Sequence, residues 1–233
     1  MVTPGKSAAD IGTDHGYVPI RLVRDGISPR CLAMDINRGP LERAANHIRR
    51  EGLTDKIPCR LSDGLAAYEK QECGCVIISG MGGELIISIL ERGREKLGDA
   101  ELVLCPHTHV KDVRIYLRGI GYDIVREVMV YEDGKYYTVI KAAPASAAEG
   151  LAANAPVKGD TVGKEIYDLF GEYQIRHKDP VLIRYLADER NKYTDIRSGM
   201  AGSGMDAGDS RIEAVDAYLE RIKEAEDEMQ RNI

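Results

Sequence analysis

Tryptophan is absent from this 233-residue chain and phenylalanine occurs once, which leaves twelve tyrosines as nearly the whole aromatic complement. No apolar run approaches the roughly 18 residues that span a membrane. The N-terminal stretch MVTPGKSAAD lacks the basic start and apolar core of a secretory signal. These absences point to a cytoplasmic protein with no membrane partner. The cysteines, Cys31, Cys59, Cys73, Cys75 and Cys105, are odd in number and lie mostly in apolar runs, so reduced core thiols are expected rather than a disulfide framework. Excess positive charge is missing as well: 32 basic against 38 acidic side chains give a net charge of −6. The imbalance is local, since residues 1–143 carry 20 of each sign and the surplus acid lies in 144–233. The basic cluster LERAANHIRREG permits a nucleic-acid partner, although such clusters are commonly solvated helix faces.

What is present is a regular alternation of short apolar runs and helical patterns. SAADIG, RCLAMDI, KIPCRLSDG, GCVIISG and ELVLCP read as strands, and YVPIRLVRDG, GPLERAANHIRREG, GELIISILERGREKLG and HVKDVRIYLRGIG as helices between and after them. YDIVREVMVYEDGKYYTVIKAA closes the set as a hairpin around EDGK. The order predicts an α/β fold with a doubly wound, Rossmann-like sheet, parallel with an antiparallel edge hairpin, over residues 1–143. Residues 144–233 read as a linker, PASAAEGLAANAPVKGD, and a helical, coiled-coil-like domain interrupted by Pro180 and by a break at SGMAGSGMDAGDS. In its last helix Ile212, Val215, Leu219, Ile222 and Ala225 form a narrow stripe.

Ligands of such sheets bind beyond the carboxyl ends of the strands, and four motifs fall there. In ADIGTDHGYVPI the spacing Asp10-x-Gly12-x-Asp14-x-Gly16 differs from the G-x-G-x-x-G of dinucleotide binders. Its carboxylates suit a cationic ligand better than a pyrophosphate. S-adenosylmethionine, with sulfonium and ammonium charges, fits, with Asp10 on the ammonium and Gly12 and Gly16 admitting the methionine part. Asp35, nineteen residues past Gly16, suits ribose hydroxyls, and Asp63 in LSDGL suits an adenine amino group beside Gly64. Each acid read alone serves equally as a helix cap or turn residue. In SGMGGELI the glycines Gly82 and Gly83 either permit a tight turn or leave a flat platform for a base facing the methyl group.

These stretches, with LVLCPHTHVKDVRIYLRGIGYDIVRE and KYYTVI, resemble the bacterial tRNA (adenine(22)-N1)-methyltransferase family from Ala8 to about Lys141. The resemblance implies a methyltransferase fold, S-adenosyl-L-methionine as cofactor, and N1 of an adenosine near the tRNA D-loop as acceptor, with no DNA partner. On it, Asp10, Gly12, Asp14, His15, Gly16, Asp35, Ile36, Asp63, Gly64, Gly80 and Met81 are the expected cofactor set, and Tyr17, Gly82, Gly83 and His107 the expected substrate set. The chain departs from the family in starting close to its first strand, in Cys105-Pro106 where Gln-Pro is usual, and in its long Ala-rich linker.

Adenine N1 has a free lone pair, so positioning dominates its methylation and the product ring becomes cationic. Asp14 is the expected catalytic residue, set against a role as cap of the helix at Tyr17. Cys73-x-Cys75 and His107-x-His109 lack zinc-ligand spacing, and no metal is expected. Arg176, His177, Lys178, Arg184, Arg190 and Lys192 either contact RNA or solvate their helices. Two alternatives stand beside this reading: a methyltransferase on another RNA or a small molecule, and a non-catalytic cofactor-binding module.

Overall fold

The structure, a computed structural model, describes residues 1–147, 165–203 and 208–231. The greater part of the expected linker, and the centre of the expected break after Gly202, lie outside the described residues. Strands β1 (Ala8–Ile11), β2 (Cys31–Asp35), β3 (Cys59–Leu61), β4 (Cys75–Met81) and β5 (Glu101–Pro106) alternate with helices α1 (Tyr17–Arg24), α2 (Arg38–Arg50), α3 (Gly83–Leu97) and α4 (Val110–Gly119). Strands β6 (Tyr122–Glu132) and β7 (Lys135–Pro144) follow. The sheet order is β3-β2-β1-β4-β5-β7-β6. β1 to β5 pair in parallel, and β7 runs antiparallel to β5. The hairpin thus enters with β7 inside and β6 outermost. Its turn, Asp133-Gly134, has positive φ at both residues, 49° and 78°, the twist that matches adjoining strands.

Both faces of β1, β2, β5 and the first half of β4 are buried, which is why these segments read as apolar runs, whereas the edge strand β3 is half-exposed. Ala9, Ile11, Met34, Val76 and Leu104 pack with Ile86 and Leu90 of α3 and Leu117 of α4. Ala8, Ala33, Ile77 and Val103 pack with Ile20 of α1 and Ala44 and Ile48 of α2. A buried leucine or isoleucine contributes about 1.5–3 kcal/mol at such positions. The N-terminal segment is tied to the start of β5. The buried Glu101 carboxylate accepts from the Thr3 backbone N–H at 2.7 Å and the Thr3 hydroxyl at 2.6 Å, with Lys6 and Lys141 each at 3.3 Å. Cys73 and Cys75 are core thiols.

The described residues form two compact units. One holds Met1–Arg126 and β7 from Thr138 onward; the other holds the hairpin tip Glu127–Tyr137 and four further helices. These helices are α5 (Glu165–Phe170), α6 (Glu172–Arg176), α7 (Pro180–Gly202) and α8 (Ser210–Arg231). Pro180 starts α7 rather than interrupting a longer helix, because the Asp179 carboxylate caps it, accepting from Val181 N–H at 2.8 Å and Leu182 N–H at 3.2 Å. α7 also runs through Ser198–Gly202, where a break was expected. Just before these glycines α7 is tied to α8 by Arg197, which pairs with Asp216 at 2.8 Å. Leu182 and Leu186 of α7 share a core with Ile222, Ala225 and Met229 of α8. Among the described residues, no helix is long and apolar enough to cross a membrane.

Candidate active site

Because β1 to β5 are parallel, their carboxyl ends open on one side, and the strand order reverses between β1 and β4. The four sequence motifs therefore meet at one edge of the sheet. The β1 turn stays against β2, with the Gly12 and Thr13 N–H groups donating to the Met34 carbonyl at 2.8 and 2.9 Å. His15 and Gly16 then adopt left-handed backbone, φ 62° and 69°, and Gly16 takes the cap position of α1. No side chain caps that helix, so Asp14 does not serve as its cap. Asp14 instead accepts from Arg43 of α2 at 3.0 Å and lies 3.5 Å from His15 Nε2.

Asp10 is buried inside β1, and its carboxyl is pushed up to about 6, first by burial and further by the nearby Asp35, with Thr13 opposing. Asp35 ends β2, buried, with one oxygen accepting the Asn37 N–H at 2.7 Å. Its neighbour Ile36 is 58% exposed, an apolar face beside a carboxylate. Asp63 sits past β3 and receives Arg92 of α3 at 2.9 Å. Gly64 follows it in the left-handed region, with Ile89 packed close by.

The β4 end carries a register shift between Ser79 and Met81. Gly80 there has φ +75°, a conformation side chains rarely adopt, and open space where a Cβ would stand. Gly12 differs, since the Met81 methyl fills the place of its missing Cβ. Gly83 differs again: a Cβ would stand 2.5 Å from the Thr108 carbonyl oxygen, so its bareness serves the packing of α3 against the β5–α4 loop. Gly82 retains the platform reading, with only the Thr108 hydroxyl near at 3.2 Å. His107 is tied to this end through its N–H, which donates to the Met81 carbonyl at 2.9 Å. Cys105, the departure from the family, lines an apolar groove with Val18, Ile77, Val103 and Val139, and burial pushes its thiol up.

A methyltransferase domain family model matches residues 1–140. The chain belongs to the methyltransferase domain family. Within that family, a Bacillus subtilis protein named tRNA (adenine(22)-N(1))-methyltransferase is 39% identical over 139 residues, covering 59% of this chain and 58% of that relative. The aligned stretch thus spans less than two thirds of the curated relative. Among solved structures, M. capricolum TrmK in complex with S-adenosyl-homocysteine superimposes with a TM-score of 0.79 at 27% identity, covering 98% of this chain and 94% of that one. A Streptococcus pneumoniae chain in complex with S-adenosyl-L-methionine gives a TM-score of 0.79 at 29% identity, covering 97% and 94%.

Two partners of this methyltransferase domain's acids, Arg43 and Arg92, and one partner of its turn backbone, His47, escaped the sequence reading. Arg43 and His47 lie in the basic cluster, and His47 approaches the carbonyl of His15 at 2.9 Å through Nδ1. A carbonyl only accepts, so Nδ1 carries the proton. The i, i+4 spacing of Arg43 and His47 was the available signal, because it places both on one face of α2.

Proposed function

We propose that this chain transfers a methyl group from S-adenosylmethionine to N1 of an adenosine in the D-loop region of tRNA, at position 22. The observation that carries the reading is the 39% identity over 139 residues to the B. subtilis protein of that name. In this reading residues 1–143 are the catalytic domain, working in the cytoplasm, and 144–233 the linker and helical domain.

The residues suit such a cofactor on their own chemistry. Gly80 leaves open space at the strand end. The turn is rich in carboxylates, and a cation beside Asp10 would stabilise its ionised form against the cost of burial. Asp10 would hold the ammonium, Asp35 the ribose hydroxyls with its remaining acceptor capacity, and Asp63 the adenine amino group while keeping Arg92. Gly12, His15, Gly16, Ile36, Gly64 and Met81 complete the wall. The bound cofactor supplies an electrophilic methyl group. Adenine N1 needs no base before attack, so Gly82, Tyr17 and His107 would act by positioning the ring. Asp14 would face the positive charge that develops on it. Held by Arg43 rather than by a helix end, Asp14 is set in place without being spent on a cap.

The test is transfer of labelled methyl from S-adenosylmethionine to unmodified bacterial tRNA, followed by nucleoside analysis. N1-methyladenosine that disappears when the D-loop adenosine is replaced supports the reading. Cofactor binding by calorimetry with no labelled tRNA refutes it in favour of another acceptor or a non-catalytic module.

A further inference from the structure

Several arginines of α2 differ from the cations of the helical unit in what they are tied to. In the helical unit Arg176 pairs with Glu172 at 2.7 Å, Arg190 with Glu226 at 2.7 Å, Lys192 with Glu189 at 2.9 Å and Arg197 with Asp216 at 2.8 Å. On α2 Arg43 is likewise paired, with Asp14 at 3.0 Å, but three other arginines are not. Arg38, Arg49 and Arg50 are exposed and reach no carboxylate within ion-pair distance among the described residues. Arg49 donates only to the neutral Asn46 side chain, at 2.7 Å.

An exposed aromatic group lies against His47 of the same helix. Tyr17 is 63% exposed and stacks on His15 with ring centroids 5.5 Å apart and planes 21° from parallel. His47 meets the Tyr17 ring edge-on at 5.1 Å. Arg43, His47 and Arg50 follow the i, i+4, i+7 spacing of one helix face, a run of about 10 Å along the axis. That stripe begins at the motif turn, where Arg43 holds Asp14.

Unpaired guanidinium groups beside exposed stacked rings are the composition that binds a nucleic-acid strand: cations for phosphates and ring faces for bases. Resting on the tRNA methyltransferase reading above, we propose that the α2 stripe is where the RNA lies as it enters the site. Arg50 at the end of the stripe and Arg49 beside it contact phosphates of the strand leading to the target adenosine, and the His15–Tyr17 stack receives a base nearer the site. The ion-paired cations of α7 contribute less to affinity, since each has beside it a carboxylate that offsets its charge and repels a phosphate.

The experiment is the double variant Arg49→Ala/Arg50→Ala in the full chain, assayed for methyl transfer to unmodified tRNA at several salt concentrations. The expected result is a KM for tRNA raised several-fold with kcat kept, and a log KM against log salt slope reduced by about 1.5, since each lost phosphate contact removes about 0.7–0.9. Calorimetric affinity for S-adenosyl-homocysteine stays unchanged, which excludes misfolding. Arg197→Ala serves as the helical-unit control and leaves KM and slope as they were. An unchanged KM and slope in the α2 variant, or an equal shift from Arg197→Ala, overturns the proposal. Should the wild type methylate no tRNA, the methyltransfer reading fails separately, and filter binding of tRNA decides the surface. Weaker, less salt-dependent binding by the double variant supports it, and wild-type binding that the variant shares, or no binding at all, overturns it.

Discussion

Asp10→Asn removes a charge that the folded chain holds at a cost. The carboxyl is displaced from 3.8 to about 6 with burial as the leading cause, a displacement worth about 3 kcal/mol. Above pH 6 Asp10 is ionised in both folded and unfolded chains, and the folded form carries the whole cost. As pH falls from 6 towards 3.8 the folded chain takes up the proton first, and the cost fades; below 3.8 both forms are neutral and none remains. The asparagine of the variant is neutral throughout. Urea unfolding at a series of pH values should therefore find the variant more stable by about 3 kcal/mol at pH 7, about 6–12 °C in Tm for a chain of this size. That advantage should shrink to nothing near pH 4. Cofactor affinity should change the other way, falling in the variant and, in the wild type, rising with pH through 6 as the carboxylate forms. A stability difference that does not vary with pH, or a variant less stable at pH 7, would refute the argument, because Asp10 would then be a carboxylate the fold favours.

Asp14→Ala should abolish methyl transfer while keeping cofactor affinity and leaving stability within about 0.5 kcal/mol, as expected of an exposed residue that caps nothing; a larger loss in thermal unfolding would return it to a structural role. Gly83→Ala should cost about 1–3 kcal/mol by calorimetric unfolding, since the added methyl meets the Thr108 carbonyl oxygen at 2.5 Å. Glu101→Gln should destabilise by about 2–4 kcal/mol at pH 7, leaving Lys141 and Thr3 without their carboxylate. Burial opposes its ionisation, but Thr3 and the two lysines outweigh burial and hold the carboxyl below its usual 4.5. The wild type's advantage in urea titrations should accordingly be full above pH 4.5 and vanish on acidification.

The sheet and its helices were legible because the central parallel strands are buried on both faces and so appear as apolar runs, as in residues 75–78. The acids were legible for a related reason: Asp35 and Asp63 interrupt the chain directly after such runs, where a charge needs a purpose. Other features were not legible, and each failure has its own cause. Arg43 lies 29 residues from Asp14, as Arg92 does from Asp63; partners so distant are chosen by packing of helices on the sheet, which no local spacing encodes. The extent of α7 through Gly202 was hidden because glycine propensity favours a break, while the tie that opposes it, Arg197 to Asp216, comes from α8.

The glycines show most clearly why sequence alone separates motif from role poorly. Gly80, Gly82 and Gly83 look interchangeable in SGMGGELI, yet each lacks its side chain for a different reason. Gly80 needs a left-handed backbone and looks onto open space, whereas Gly83 yields its space to a carbonyl oxygen of the same chain. Substitution separates the two physically. An alanine at Gly83 penalises the fold with or without ligand. At Gly80 the methyl enters space that only a ligand would use, so beyond the backbone strain common to both states it should weaken cofactor binding. Comparing apo stability with cofactor affinity in the two variants therefore tells a packing glycine from a binding one.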